Sequence, residues 1–289
     1  MTTLLCLGLG YCAQRFVARH GDTFSRIVGT SRSGTPHPRV EMMRFTVDAS
    51  DDLIAAARTA DVILASAAPG EAGDPFLGPL GAAIGGGSGK GPLVYLSTIG
   101  VYGDSGGSWI DETAPLASTA PRGRQRIAAE QAWQALGDAS GRPVAVLRLG
   151  GIYGPGRNVL VDVADGSARC VERAGQVFNR IHVDDIADAI HAAGAAGFDG
   201  AVNLVDDEPS PSCAPVRFAA GLLGRPAPEA VPFAEAATRM SAMALSFWAD
   251  NRRVRNDRLH ALLGGPLRHP TYREGLAALF AAGEGVPAH

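Results

Sequence analysis

Lysine is almost missing from this 289-residue chain: of its 26 basic residues only Lys90 is a lysine. It follows Gly85-Gly86-Gly87-Ser88-Gly89, but no Ser or Thr comes after it and a strand is expected next, which excludes a phosphate loop of the Walker type. The glycine run reads instead as a flexible surface connector. An excess of either charge is also lacking. At a net charge of −3 the chain has no long-range attraction for nucleic acid or an anionic membrane surface. No apolar stretch reaches the length of a membrane span, and the first strand begins near residue 3, which leaves no room for a signal peptide. A cytoplasmic location is the expectation. The four cysteines, Cys6, Cys12, Cys170 and Cys213, have no metal-type spacing. Neither a metal site nor a disulfide framework is expected, and Cys6 reads as a small buried thiol.

What is present begins at the amino terminus. The apolar run Leu4-Leu5-Cys6-Leu7 feeds into Gly8-Leu9-Gly10-Tyr11-Cys12-Ala13 and then into a helical segment with Phe16 and Val17 on one face. In a G-x-G-x-x-G/A turn the first glycine makes the tight bend, the second lets backbone approach a pyrophosphate, and a small third residue lets the helix pack close to the strand. Gly8, Gly10, Tyr11, Cys12 and Ala13 are therefore candidate contacts to a dinucleotide phosphate at a helix N-terminus. Tight packing alone would explain the same glycines.

Apolar runs then alternate with helical segments, the pattern of a parallel sheet covered on both faces. Strands are predicted near 3–7, 26–30, 42–47, 62–66, 93–97, 144–149 and 202–205, and helices near 11–20, 51–58, 75–84, 124–136 and 183–193. Further helices are predicted near 214–223, 233–243 and 255–263. The fold class is α/β, a doubly wound parallel sheet of the Rossmann type with a smaller C-terminal substrate lobe. Residues 1–150 form the dinucleotide-binding core, with 181–206 returning to the sheet, while 151–180 and 207–289 form the lobe.

The end of the second strand discriminates between the two nicotinamide cofactors. An acidic residue there bonds the free ribose hydroxyl of NAD, whereas an Arg accommodates the 2′-phosphate of NADP. Here the chain reads Thr30-Ser31-Arg32-Ser33, with no carboxylate, so NADP is preferred over NAD and Ser31 and Arg32 are its candidate ligands. The missing carboxylate also argues against an S-adenosylmethionine methyltransferase. Asp48, read as closing the third strand, would accept from the adenine amino group or else cap the next helix. Ala65, Ser66 and Ala67 are small enough to let backbone approach the cofactor.

Four later segments carry a resemblance. They are Leu96-Ser97-Thr98-Ile99-Gly100-Val101-Tyr102-Gly103, the run Arg148 to Gly156, Ile181-His182-Val183-Asp184-Asp185-Ile186-Ala187, and Asn203-Leu204-Val205-Asp206-Asp207. With the glycine turn they resemble, in order, the extended short-chain dehydrogenase/reductase superfamily of the NAD(P)-dependent epimerase/dehydratase type. The tail, with Asn251 to Asn256 and His269 to Leu276, is similar to an atypical branch, the YeeZ-like proteins. The resemblance implies a Tyr and a Lys spaced Y-x-x-x-K, the Lys lowering the pKa of the Tyr that exchanges a proton with substrate. Where the family shows Y-G-x-S-K-x-x-x-E, this chain has Arg122-Gly123-Arg124-Gln125-Arg126-Ile127-Ala128-Ala129-Glu130. Arg122 replaces the Tyr and Arg126 the Lys, and a guanidinium with a pKa above about 12 is no proton shuttle. Either the two arginines hold ribose or an anionic substrate, or they form a solvated helix face. Thr98 matches the hydroxyl that bonds the reacting oxygen. Ile99-Gly100 stands where dehydratases carry Asp-Glu, which argues against dehydration. Tyr102 and Tyr153 resemble tyrosines beneath the cofactor or substrate cleft, with core packing favoured, and His182-Val183-Asp184-Asp185 reads as a structural helix opening.

Two functions follow. One is an NADP(H)-dependent oxidoreductase or epimerase on a small polar substrate, with Thr98, Arg122 and Arg126 as catalytic candidates and Tyr102, Tyr153 or His182 as relocated proton donors. The other is a non-catalytic dinucleotide sensor. The resemblance also implies a homodimer through the helix of Arg122 to Leu136, where Ile127, Trp133 and Leu136 would supply apolar contacts.

Overall fold

The computed structural model describes residues 2–286. The first half of the chain runs β1 (Thr3–Leu7), α1 (Tyr11–His20), β2 (Arg26–Ser31), β3 (Glu41–Arg44), α2 (Asp51–Thr59), β4 (Val62–Ala65), α3 (Leu77–Gly85), β5 (Leu93–Thr98), β6 (Trp109–Ile110), α4 (Pro121–Ser140) and β7 (Val144–Leu149). It continues through β8 (Gly151–Tyr153), α5 (Val159–Asp165), β9 (Cys170–Glu172), β10 (Arg180–His182), α6 (Val183–Ala196) and β11 (Gly200–Leu204). The tail adds α7 (Cys213–Leu222), β12 (Ala230–Pro232), α8 (Phe233–Ala236), α9 (Ala242–Trp248), β13 (Arg253–Val254), α10 (Asp257–Leu263) and α11 (Tyr272–Ala281).

Seven strands form one sheet in the order β11-β7-β5-β4-β1-β2-β3, every pair parallel. The inner strands β1, β4, β5 and β7 are mostly apolar runs because both faces are covered, as a parallel sheet requires, whereas edge strand β3 is charged at both ends. On one face α1 and α6 pack through Phe16, Val17, Ile186 and Ile190. On the other α2, α3 and α4 pack through Leu53, Leu80, Ile84 and Trp133. Each such large side chain contributes on the order of 2 kcal/mol by leaving water. The strand order reverses between β1 and β4, which places a crevice at their carboxyl ends. A third apolar cluster, with Tyr153, Leu160, Val216, Tyr272 and Leu276, is the core of the lobe. Leu259 of α10 is buried in the α1–α6 cluster, with Leu262 and Leu263 packed against it, so that helix lies on the sheet rather than in the lobe.

Several expectations require correction. The glycine run after α3 is not a loose connector. A β-carbon at Gly87, Gly89 or Gly91 would overlap the carbonyl oxygens of Arg58, Ala60 and Asp61, so glycine is demanded by close packing against the α2–β4 turn. The helix expected over 233–243 is interrupted: Met240 is extended, and the Ser241 hydroxyl accepts from the Ala244 amide to start α9 afresh. A disulfide joins Cys170 to Cys213, where none was expected, because the fold brings β9 and the start of α7 together across 43 residues. Cys6 and Cys12 are free and buried. Ile127, Trp133 and Leu136 pack into the protomer's own core instead of forming an exposed dimer face, and Trp133 donates to Asp74 Oδ2 at 3.0 Å. Among the described residues no helix is long and apolar enough to cross a membrane.

Candidate functional site

The glycine turn sits at the reversal of strand order. Gly8 has φ +92°, a conformation costly for any residue with a β-carbon. Its amide donates to Thr30 Oγ1 at 2.8 Å, and an added β-carbon would lie 3.2 Å from the Ala67 nitrogen. Gly10 differs in kind. It caps α1 with extended backbone, no side chain caps the helix, and nothing lies within 4 Å of where its β-carbon would be. Packing therefore does not require glycine there. A side chain at Gly10 would instead fill the approach to the helix N-terminus, so the cradle fits a dinucleotide phosphate. Ala13 is wholly buried behind it.

The flanking residues fix this turn. The Ser66 hydroxyl donates to the Gly8 carbonyl, and Ala65 lies beside Leu7 in register. The Tyr11 phenol donates to the Pro155 carbonyl at 3.0 Å, which ties α1 to the turn after β8. Burial pushes the Cys12 thiol up to about 11, so it stays neutral at physiological pH.

At the end of β2, Ser31 pairs with Arg44 of β3, and Arg44 Nε donates to the Arg32 carbonyl at 3.2 Å. Ser31 Oγ accepts from the Gly34 amide at 2.9 Å, and the Ser33 and Thr35 hydroxyls are 2.7 Å apart. Two exposed guanidiniums, Arg32 and Arg44, thus flank a loop of hydroxyls without a carboxylate. Arg44 was missed in the sequence because β3 ends there and not at Val47. Asp48 lies beyond the strand end, exposed, and the cap of α2 is Ser50, whose hydroxyl accepts from Leu53.

A cleft of about 940 Å³ opens between the carboxyl ends of the strands and the lobe. Thr98, Arg122 and Arg126 all line it, brought together by the end of β5 and the first turns of α4. The four-residue spacing of Arg122 and Arg126 puts them on one face of α4. Thr98 Oγ1 accepts from the Gly100 amide at 3.1 Å, which turns the chain out of β5. Arg126 donates to the Leu96 carbonyl at 2.6 Å and to the Tyr95 phenol at 3.1 Å, so its guanidinium is fixed against the strand. Arg122 is exposed. The cleft also takes Phe178, Arg180, Trp248, Asp250 and Arg252, which sequence reasoning did not single out. Only the segment Asn251 to Asn256 carried a signal for them.

The relocated donors fall elsewhere. Tyr102 is 4% exposed, its phenol donating to Asn203 Oδ1 at 2.7 Å and accepting from Arg148 at 2.9 Å. Arg148 in turn forms a buried ion pair with Glu130 of α4 at 2.8 Å, and Ser97 donates to the same carboxylate. That network anchors the helix bearing Arg122 and Arg126. Tyr153 lines a separate cavity of about 360 Å³, and burial raises its phenol far above the usual range. His182 Nδ1 accepts from the Asp184 amide at 3.1 Å, its ring packed between Tyr153 and His269. Burial and the neighbouring His269 push its pKa down to about 3, so it stays neutral. The His182, Asp184 and His269 ligating atoms lie within 4.8 Å of one another, but Arg15 engages both oxygens of Asp184. Among the described residues, the cleft lining holds no Tyr, His, Cys or Lys, and Asp250 is its single carboxylate.

Comparison with known proteins fits this geometry. The model of the NAD dependent epimerase/dehydratase family matches residues 39–204. A Streptomyces 3-diazoavenalumate denitrifying reductase is 32% identical over 195 residues, which are 64% of this chain and 63% of that protein's length. A conserved protein of unknown function from Silicibacter pomeroyi is 41% identical, with a TM-score of 0.83 over 98% of this chain and all of that one. The human epimerase family protein SDR39U1, solved with NADPH, has the same fold at 17% identity, with a TM-score of 0.75 over 96% of this chain and 99% of that one.

Proposed function

Since the chain belongs to the NAD dependent epimerase/dehydratase family, we propose that it is an NADP(H)-dependent reductase in which two guanidiniums, Arg126 fixed and Arg122 exposed, stand in place of the proton-transferring Tyr-Lys pair. The observation that carries this reading is that Arg122 and Arg126 line one cleft with Thr98 while no Tyr, His, Cys or Lys does. When bound, the nicotinamide supplies the hydride. Past the bare Gly10, the first-turn amides of α1 from Tyr11 to Ala13 would donate to the diphosphate, and Arg32 with Arg44 suits the 2′-phosphate. Thr98 donates to the substrate oxygen on which negative charge develops. Arg126, held by Leu96 and Tyr95, and Arg122 stabilise that charge without giving up a proton, which then comes from water. The name of the Streptomyces relative, a reductase, favours reduction over epimerisation.

The test follows nicotinamide absorbance over a panel of carbonyl, conjugated and sugar-nucleotide acceptors, with the pH profile of whichever is reduced. A rate nearly flat from pH 6 to 9 is expected, because the lining holds no Tyr, His, Cys or Lys to pass a proton. A steep limb that disappears in a Tyr or His variant would refute the arginine mechanism. Calorimetry distinguishes the sensor reading, which the missing proton donor also favours: NADPH binding without turnover of any acceptor would support it.

A further inference from the structure

The far wall of the cleft is aromatic, and its character points to a ligand class. Trp248 is fixed by Phe178 edge-on and by Phe233 stacked behind it, with ring centroids 4.9 Å away in both cases. Phe247, beside it on α9, lines the same cleft and is 66% exposed. A large ring left in water at a cleft mouth costs free energy that a flat apolar ligand would recover.

The charges beside this wall are few and mostly committed. Arg252 donates to the Ile99 carbonyl at 3.1 Å and pairs with Asp250, which leaves Nε without a partner. Arg180 donates to the Phe178 carbonyl at 3.1 Å and to Ser210 Oγ at 2.8 Å. The lining as a whole carries four guanidiniums, Arg122, Arg126, Arg180 and Arg252, against the one carboxylate of Asp250, a surplus that favours an anionic ligand.

We propose that the cleft takes a planar aromatic carboxylate, its ring against Trp248 and Phe247 and its carboxylate in the field of Arg252 and Arg180. This deepens the reading of the cleft as the substrate site and rests on it. The probe is 2-naphthoate, followed by tryptophan fluorescence with and without saturating NADP+, and compared with neutral 2-naphthamide, non-aromatic cyclohexanecarboxylate and UDP-glucose.

Saturable quenching by 2-naphthoate is expected, with 2-naphthamide and cyclohexanecarboxylate each at least tenfold weaker. The signal should disappear in Trp248→Phe, although Trp109 and Trp133 remain. Phe247→Ala, a change at an exposed position that leaves the fold intact, should weaken 2-naphthoate about fivefold. Arg252→Gln should make the acid and the amide bind alike. Equal affinity of acid and amide in the unmodified protein, no effect of Phe247→Ala, or preference for UDP-glucose would each overturn the proposal. If 2-naphthoate binds as described while NADP+ binds nowhere, the ligand class stands and the reductase reading fails.

Discussion

The glycine-turn cradle proposed for the cofactor and the cleft proposed for the substrate are built in opposite ways. The cradle is three short local stretches, residues 8–13, 31–35 and 65–67, at the carboxyl ends of adjacent strands β1, β2 and β4. The cleft gathers side chains from β5, α4, β10, α9 and the segment before β13, separated by up to about 150 residues. A main-chain phosphate site needs only a turn geometry, which local sequence dictates. A substrate site needs side chains converging from several elements, and only packing brings them together.

Breaking that contrast is most forceful at Glu130, which lies in neither site but anchors α4 under the cleft. Glu130→Ala leaves the buried Arg148 guanidinium unpaired and should cost about 3–5 kcal/mol in urea unfolding. Loss of less than about 1 kcal/mol would mean that the pair does not hold the helix. Gly10→Val should then separate the cradle from the fold: with no protein atom within 4 Å of the new β-carbon, the melting temperature stays unchanged while NADP(H) affinity falls about 100-fold by calorimetry. An equal loss of stability would show Gly10 to be a packing residue.

Asp206, buried in the last of the resembling motifs, sharpens the comparison through pH. Burial, opposed in part by Arg180 and the Glu208 amide, raises its pKa to about 8. A raised carboxyl contributes stability that is complete below about pH 4, its unfolded value, and is lost as pH climbs through 8. Thermal melts should therefore show Asp206→Asn gaining on the parent between pH 5 and 8.5, by about 4 kcal/mol; a pH-independent difference would contradict the shift. The smallest effect is expected at the rim of the cradle. Arg32→Ser and Arg44→Ser should each weaken NADPH about tenfold and leave NADH unchanged, as read from the two dissociation constants.

Legibility in the sequence followed the same division. Strands Thr3–Leu7 and Val144–Leu149 and helix Tyr11–His20 were found at their observed bounds. Continuous apolar runs and a glycine turn are local signals that the buried parallel sheet only reinforces. The pairs β8 with β10 and β9 with β12 were not anticipated, since three-residue strands carry no periodicity and exist through their partners. Helix α11 was not anticipated either, although its start, Thr271-x-x-Glu274, forms both reciprocal capping bonds. The tyrosines at 102 and 153 were recognised by motif, yet their hydroxyls turn to Asn203 and Thr271 inside the molecule, a choice made by neighbours over 100 residues away.

The amino-acid order alone determined the alternation of strand and helix, the bare glycine turn, the basic hydroxyl-rich end of β2, and the four-residue spacing of Arg122 and Arg126, because each is written in contiguous residues. Tertiary structure alone decided which side chains face the cleft, joined Cys170 to Cys213, pressed the glycine run against the α2–β4 turn, and brought Arg180, Trp248 and Arg252 into one cleft with Thr98. Those outcomes depend on the distance between segments in space, and no local pattern of residues encodes that distance.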